Sequence, residues 1–163
     1  FFSQPPPMLR PWPRLGRWAG QRALHTALHS GYGHPLLRDW QGQRALLDKA
    51  QFMFPLFIID QPTALNPIPA LPENYHVGVG RLEEYLAPLV AQGLRSVLLF
   101  GVPTTAQKDP QGSPAEDANG PVIQAIQLLR ARFPDLYVAC DVCLCAYTSH
   151  GHCGVLHPSN KIN

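Results

Sequence analysis

The chain has 163 residues, of which 45% are apolar and 15% are charged, which is enough for one globular core. Its formal net charge of +2 is small and the charged residues are dispersed, which argues against a nucleic acid partner. No apolar run approaches the roughly 20 residues that span a bilayer, so we expect no membrane partner either.

Residues 1–27 differ in composition from the rest of the chain. Prolines cluster near the start, no acidic residue occurs, and there are four arginines: Arg10, Arg14, Arg17 and Arg22. The arginine bias is typical of a transit peptide, but serine is scarce and the prolines would break an amphipathic helix. We therefore predict a disordered or artefactual extension. Because the sequence opens with Phe1, we expect it to be incomplete at this end.

Residues 28–51 contain apolar side chains that follow no regular strand period. These side chains are Tyr32, Leu36, Leu37 and Trp40. An irregular segment cannot bury such residues by itself. We therefore expect this segment to need a partner surface.

The first regular elements are predicted between residues 52 and 100. Residues 52–59 form a continuous apolar run, which is typical of a strand that is buried on both faces. An irregular, proline-rich stretch follows at 62–72. An apolar helical face is then predicted, and Gly93 ends it; its members are Leu82, Tyr85, Leu86, Leu89 and Val90. Residues 96–100 form the second buried strand.

The second half repeats this order. A polar loop is predicted at 101–120, and Pro121 begins a second helix that Pro134 ends. The third strand, at 136–140, leads directly into a cysteine-rich segment. Alternating strands and helices predict a parallel sheet with right-handed crossovers, either an open doubly wound sheet or part of a TIM barrel. In both architectures the functional residues lie at the carboxyl ends of the strands.

All four cysteines of the chain lie between residues 140 and 153. Cys143 and Cys145 are one residue apart, so in an extended segment their sulfur atoms would point to the same side. Cys153 follows after a loop that contains Gly151, which lets the chain turn back. Three thiolates suit zinc, and three protein ligands are typical of a site with one open position. The spacing therefore favours a catalytic zinc site.

Three other interpretations of the cysteines are considered. Two disulfides would use all four thiols, but side chains two apart in a strand rarely bridge each other, and the composition is not that of a secreted chain. The thiols could instead be inert and buried. A closed structural zinc site with His150 or His152 as fourth ligand also fits the spacing. Cys140 lies inside the predicted strand, so we interpret it as a packed core thiol.

The cysteine segment closely resembles the zinc-binding segment of a known family. Residues 141–154 read Asp-Val-Cys-Leu-Cys-Ala-Tyr-Thr-Ser-His-Gly-His-Cys-Gly. This string resembles that of porphobilinogen synthase, also called delta-aminolevulinic acid dehydratase, of the zinc-dependent animal type. The resemblance covers about residues 28–155 and includes upstream matches at 29–38, 54–57, 81–84, 100–103 and 108–109.

The resemblance implies a TIM (β/α)8 barrel, of which this chain covers an amino-terminal oligomerisation arm at 28–51 and about three strands and two helices at 52–155. Residues 156–163 form a divergent tail that no longer resembles the family. The arm is implied to wrap a neighbouring subunit of a cytoplasmic homo-octamer. A complete barrel needs at least about 200 residues, so we expect the chain to be truncated.

The implied reaction condenses two molecules of 5-aminolevulinate, with loss of water, to porphobilinogen in haem biosynthesis. In the family, two lysines on later strands form Schiff bases with the substrates, and Zn2+ acts as a Lewis acid. Lys49, Lys108 and Lys161 are the lysines of this chain, and none matches a catalytic lysine. We therefore expect the chain to be inactive alone. The alternative is a non-catalytic product that binds zinc or docks on full-length subunits.

The resemblance also implies roles for single residues. Cys143, Cys145 and Cys153 match the ligands of the catalytic zinc. Asp141 matches an aspartate that lines the active site, although it could simply cap the end of the strand. His152 matches a ligand of a second zinc, and a solvated loop histidine is the alternative. His150 is interpreted either as a loop residue or as a residue that contacts the metal ligands without binding the metal, while Ala146 replaces the proline that is usual in the family.

Overall fold

The computed structural model describes residues 30–42, 47–159, 161 and 162. The predicted extension at 1–27 therefore lies outside the described residues. The main elements, in chain order, are α1 (Pro35–Gln41), β1 (Phe54–Ile59), β2 (Leu65–Pro67), β3 (Tyr75–Gly78), α2 (Leu82–Ala91), β4 (Ser96–Val102), α3 (Pro121–Arg132) and β5 (Tyr137–Cys140). Short 3-10 helices lie at Ser30–Tyr32, Lys49–Gln51, Val79–Arg81 and Ser113–Glu116.

The strands form one mixed sheet of five strands in the order β2-β3-β1-β4-β5. β1, β4 and β5 are parallel neighbours, as the sequence predicts, with Leu56 opposite Leu99 and Leu99 opposite Cys140. β3 is parallel to β1 and pairs with its last three residues, while β2 is antiparallel to β3. The prediction that 62–72 is wholly irregular is wrong, because β2 lies within it. Its Leu65 is held by pairing with Val77.

The core lies between this sheet and the helices α2 and α3. Its fully buried members include Leu56, Ile58, Leu86, Leu99 and Leu129. Burying a side chain of this size stabilises the fold by about 1.5–3 kcal/mol. The alternation of side chains along β1 and β4 leaves Phe57 and Phe100 on the other face, where their rings stack with centroids 5.3 Å apart.

Helix α2 follows the predicted apolar face and ends where glycine permits a left-handed turn. Gly93 has φ +103. Its N–H donates to Val90 O at 3.0 Å, and the next N–H, of Leu94, donates to Leu89 O at 3.0 Å. Glu83 in the first turn of α2 forms an ion pair of 3.1 Å with Arg132 of α3, which ties the two helices together.

The described part of the predicted arm packs against the same chain. His34 caps α1, because its Nδ1 accepts from Leu36 N at 3.1 Å. Leu36 is buried, and the rings of His34 and Trp40 lie 5.3 and 5.6 Å from that of Tyr137 in β5. His34 and Trp40 therefore contact β5 of the same chain through the Tyr137 ring. Tyr32 is 47% exposed.

No helix among residues 30–42, 47–159, 161 and 162 is long and apolar enough to cross a membrane. In the tail, Leu156 and Ile162 form an isolated antiparallel bridge, and His157 N donates to Lys161 O at 2.8 Å.

Candidate metal centre

The cysteine segment begins where β5 leaves the sheet. Asp141 N still donates to Leu99 O at 2.9 Å, after which the chain enters a turn. Leu144 O accepts from both Tyr147 N and Thr148 N, at 2.9 and 3.0 Å. The expectation that strand alternation brings Cys143 and Cys145 together is therefore wrong. Cys143 precedes this turn and Cys145 lies within it, so the turn sets their relative position.

The three predicted ligands do converge. Cys143 Sγ lies 3.2 Å from Cys145 Sγ and 3.3 Å from Cys153 Sγ, and the three sulfur atoms all lie within 4.8 Å of one another. These separations exceed the length of about 2.05 Å for a disulfide bond, and the cysteines are free thiols. Three soft sulfur donors at one point are a donor set that fits Zn2+.

The thiols influence one another's ionisation. Hydrogen bonds from the Cys145 backbone and from the Cys145 and Cys153 thiols lower the pKa of Cys143. The hydrogen bond to Cys143, together with the negative charge there, raises the pKa of Cys153 to about 11. The hydrogen bond with Cys143 likewise raises the pKa of Cys145. Ionisation of one thiol therefore makes ionisation of the other two less favourable. A divalent cation counteracts this effect, because it binds the deprotonated form of each cysteine.

A cavity of about 480 Å³ lies beside the cluster. Cys143 and Cys153 form part of its wall together with Asp141, Tyr147 and Cys140. This volume is within the range of small-molecule sites. Burial, with a contribution from the Asp141 charge, raises the pKa of Tyr147, so its hydroxyl is neutral at pH 7. The interpretation of Cys140 as a packed core thiol is wrong: Cys140 is exposed and faces the cavity, because it lies at the end of β5.

The two histidines of the segment lie outside the cysteine cluster. Among the described residues, the one group of three or more metal-ligating side chains is the cysteine triad. His150 Nδ1 accepts from His152 N at 3.2 Å, and its Nε2 lies 3.1 Å from Pro110 O. The two rings stack with centroids 5.5 Å apart. The geometry thus favours a three-thiol site over a closed site with a histidine as fourth ligand.

The sequence analysis did not identify Asp60. This residue directly follows β1 and lies at the same edge of the sheet as the cysteine segment. Its carboxylate accepts from the backbone N–H groups of Thr104, Thr105 and Ala106 at 2.9, 2.7 and 3.2 Å. The Thr104 and Thr105 hydroxyls donate to it as well. Partial burial raises the pKa of Asp60, but these hydrogen bonds outweigh burial and hold it well below its ordinary value.

This arrangement fixes the start of the connection between β4 and α3. An aspartate directly after one buried strand and two threonines shortly after the next were visible in the sequence. Because parallel strands end at the same edge, that pattern could have predicted the contact.

Comparisons with known proteins identify similar chains of one family. A family model described as delta-aminolevulinic acid dehydratase matches residues 25–163. The delta-aminolevulinic acid dehydratase of Eremothecium gossypii is 58% identical over 144 residues, covering 88% of this chain and 42% of the relative. Those of Bos taurus and Archaeoglobus fulgidus are 55% and 34% identical, covering 80% and 76% of this chain and 40% and 38% of the relatives.

A solved structure is also similar. It is the Toxoplasma gondii delta-aminolevulinic acid dehydratase, in complex with the reaction product porphobilinogen, with a TM-score of 0.68 and 28% identity. The match covers 78% of this chain and 36% of that chain.

Fold and site together define an α/β chain with a candidate thiolate zinc centre at the carboxyl edge of its sheet. The chain belongs to the delta-aminolevulinic acid dehydratase family, also called porphobilinogen synthase, and its cysteine triad is consistent with the zinc type. It spans about two fifths of the length of the curated relatives that it matches.

Proposed function

We propose that this chain is the zinc-binding, amino-terminal part of a porphobilinogen synthase barrel, which condenses two molecules of 5-aminolevulinate to porphobilinogen. The observation that carries the proposal is the convergence of three thiols next to a cavity at the carboxyl end of β5. The parallel neighbours β1, β4 and β5 support their assignment as the first three strands of a (β/α)8 barrel. We assign residues 28–51 to the arm, 52–155 to the partial barrel and 156–163 to the tail.

Cys143, Cys145 and Cys153 would hold the zinc ion. Bound there, Zn2+ would supply a Lewis acid to a substrate carbonyl. The Asp141 carboxylate borders the same cavity and can accept a hydrogen bond from a substrate amino group. The neutral Tyr147 hydroxyl offers a donor on the cavity wall. We keep His152 as a proposed ligand of a second zinc; among the described residues it belongs to no group of three or more metal-ligating side chains.

Carbonyl activation through a Schiff base needs a lysine amine at the cavity. Lys49 lies before β1, at the opposite end of the strands, while Lys108 lies in the loop after β4 and Lys161 in the tail. None of the three borders the cavity. We therefore propose that this chain makes no porphobilinogen by itself.

A second candidate function is a non-catalytic chain that binds zinc or joins full-length subunits of a homo-octamer through its arm. Two observations favour it: the cysteine triad is complete, and no lysine among the described residues lines the cavity. Metal binding and imine formation are then separable properties.

Two measurements test the proposal. Bound zinc is determined in the unchanged protein and in Cys143→Ala, Cys145→Ala and Cys153→Ala, with Cys140→Ala as the matched control outside the triad. We expect each triad variant to lose zinc and the control to retain it. Equal zinc content in all variants would show that the triad is not the site.

The second measurement is borohydride trapping with labelled 5-aminolevulinate. We expect no adduct on this chain alone, and an adduct on Lys49, Lys108 or Lys161 would contradict its proposed inactivity. Mixing the chain with full-length enzyme, followed by separation by size, tests the second candidate function. Co-elution with the larger enzyme would support docking through the arm.

A further inference from the structure

The connection between β4 and α3 lies directly against the cysteine segment. Asp109 O accepts from Ser149 N at 2.9 Å, and Asp109 forms an isolated parallel bridge with Thr148. A Cβ atom at Gly112 would lie 3.2 Å from Leu144 Cδ2 and 3.3 Å from Thr148 Cγ2. The contact is therefore close, and a shift of this connection would be transmitted to the cysteine segment.

The Asp109 carboxylate sets the shape of this connection. Its Oδ1 accepts from Gln111 N at 2.9 Å and from Ser113 N at 3.0 Å. Gly112 between them has φ +74, a left-handed conformation that a side chain would strain. Hydrogen bonding, led by that from the Ser113 side chain, lowers the pKa of Asp109, so the acceptor is ionised at pH 7. One side chain thus closes the turn whose backbone contacts Ser149.

On the other side of the contact, Thr148 controls the return of the chain to Cys153. The Thr148 side chain is 2% exposed, and its Oγ1 donates to His152 O at 2.9 Å. His152 directly precedes Cys153, whose Sγ lies 3.3 Å from Cys143 Sγ. Two hydrogen bonds, joined by neighbouring residues of the chain, therefore link the Asp109 turn to the sulfur atom that completes the triad.

We infer that Asp109 is a positioning residue for the metal site: its carboxylate holds the turn that supports Thr148 and Ser149 and thereby places Cys153 beside Cys143. Asp109 itself is no ligand, since it lies outside the triad. The inference rests on the proposed zinc site and adds to it a residue that acts from a different loop.

Titration of the 163-residue chain with Co2+ alone, at fixed pH, tests the inference. Thiolate-to-cobalt charge-transfer absorption reports sulfur ligation, and competition with a chelator gives the affinity. We expect Asp109→Ala to weaken Co2+ binding by about 10-fold, as loss of a group that orients ligands typically does, and to reduce the charge-transfer absorption per bound ion. Asp109→Asn keeps an oxygen at the Oδ1 position and should restore most of both.

Asp48→Ala is the matched control. Asp48 Oδ1 also accepts a backbone N–H two residues on, from Ala50 at 2.8 Å, but it precedes β1, at the other end of the strands. The control should bind Co2+ like the unchanged protein. Unchanged affinity in a folded Asp109→Ala, or equal losses in the Ala and Asn variants, would overturn the inference.

Circular dichroism establishes whether each variant is folded. If Asp109→Ala does not fold, Asp109→Ser carries the comparison, since its hydroxyl lies one atom nearer the backbone than the carboxylate oxygen. Weaker binding by the Ser variant than by the Asn variant supports the inference, and equal binding overturns it. If the unchanged protein shows no charge-transfer absorption, the metal site itself is wrong, and the inference falls with it.

Discussion

Asp60 provides the sharpest test of how the loops above the sheet are held. Replacing it by asparagine preserves shape and one acceptor oxygen but removes the charge. Oδ2 alone accepts from three backbone N–H groups and the Thr105 hydroxyl. Hydrogen bonds to charged groups contribute about 1.5–3 kcal/mol each, but these share one half-buried carboxylate and do not add. We therefore expect Asp60→Asn to lower the free energy of unfolding by about 1 kcal/mol and Asp60→Ala by about 2 kcal/mol at pH 7.

The sign of the pH dependence follows from the pKa of Asp60, which is held below its ordinary value. The unfolded chain takes up the proton first, near pH 3.9, so the contribution is fully present well above that pH. The stabilising contribution of Asp60 is lost as the pH falls from the pKa of Asp60 in the unfolded chain towards its lower pKa in the folded chain. The difference between the unchanged protein and Asp60→Asn should therefore be largest at pH 7 and shrink between about pH 5 and pH 3.

Urea unfolding followed by far-ultraviolet circular dichroism at several pH values measures this difference. Asp135→Asn, an exposed aspartate before β5, is the control, and its effect should stay within about 0.5 kcal/mol. A difference for Asp60→Asn that is the same at pH 3 and pH 7 would refute the role of the charge.

Three further predictions concern the body of the fold, and thermal or urea unfolding checks each of them. Gly78→Ala should cost about 1–3 kcal/mol, because its Cβ would lie 2.1 Å from Gln61 O and 2.4 Å from Pro62 O, which are backbone atoms that cannot rotate away. A near-neutral result would mean that the loop after β1 yields easily. Leu86→Ala should cost about 2–5 kcal/mol, since the side chain is completely buried; a smaller loss would mean that the core collapses around the gap. Glu83→Gln should cost less than about 1 kcal/mol, since its ion pair with Arg132 is half exposed, and high salt should remove the difference. A salt-independent loss would contradict that account.

Local patterns predicted much of the fold. The apolar period of residues 82–90 identified α2, and the continuous apolar runs identified β1, β4 and β5, because these signals depend on neighbours in sequence. The hairpin of β2 and β3 left no such signal. Of β2, only Leu65 is half-buried and the rest is exposed, so no alternation was visible. β2 forms because its backbone pairs with the backbone of β3.

The sequence likewise predicted only part of the candidate site. The cysteine spacing and the family resemblance named the three thiols, but not the turn at Leu144 that brings two of them together. The contact between Asp60 and Thr104 spans 44 residues in sequence, and the contact between Asp109 and Ser149 spans 40. Such contacts depend on which strands become neighbours, so a sequence pattern predicts them only once the order of the strands is assumed.

The lengths of the outer strands bear on self-association. Open sheet edges are templates on which another chain can add a strand, and long, flat edges are the most hazardous. Here β3 already occupies the last three residues of one edge of β1, and the outermost strand on that side is β2, three residues long and ending in Pro67, which has no N–H to offer. On the other side β5 has four residues. These short strands cover the long, apolar strands β1 and β4 only in part: β3 pairs with residues 57–59 of β1 and β5 with residues 96–99 of β4, so residues 54–56 and 100–102 each keep an edge without a strand partner in the described sheet. Strand addition at the described sheet is therefore confined to these short stretches and to the edges of β2 and β5.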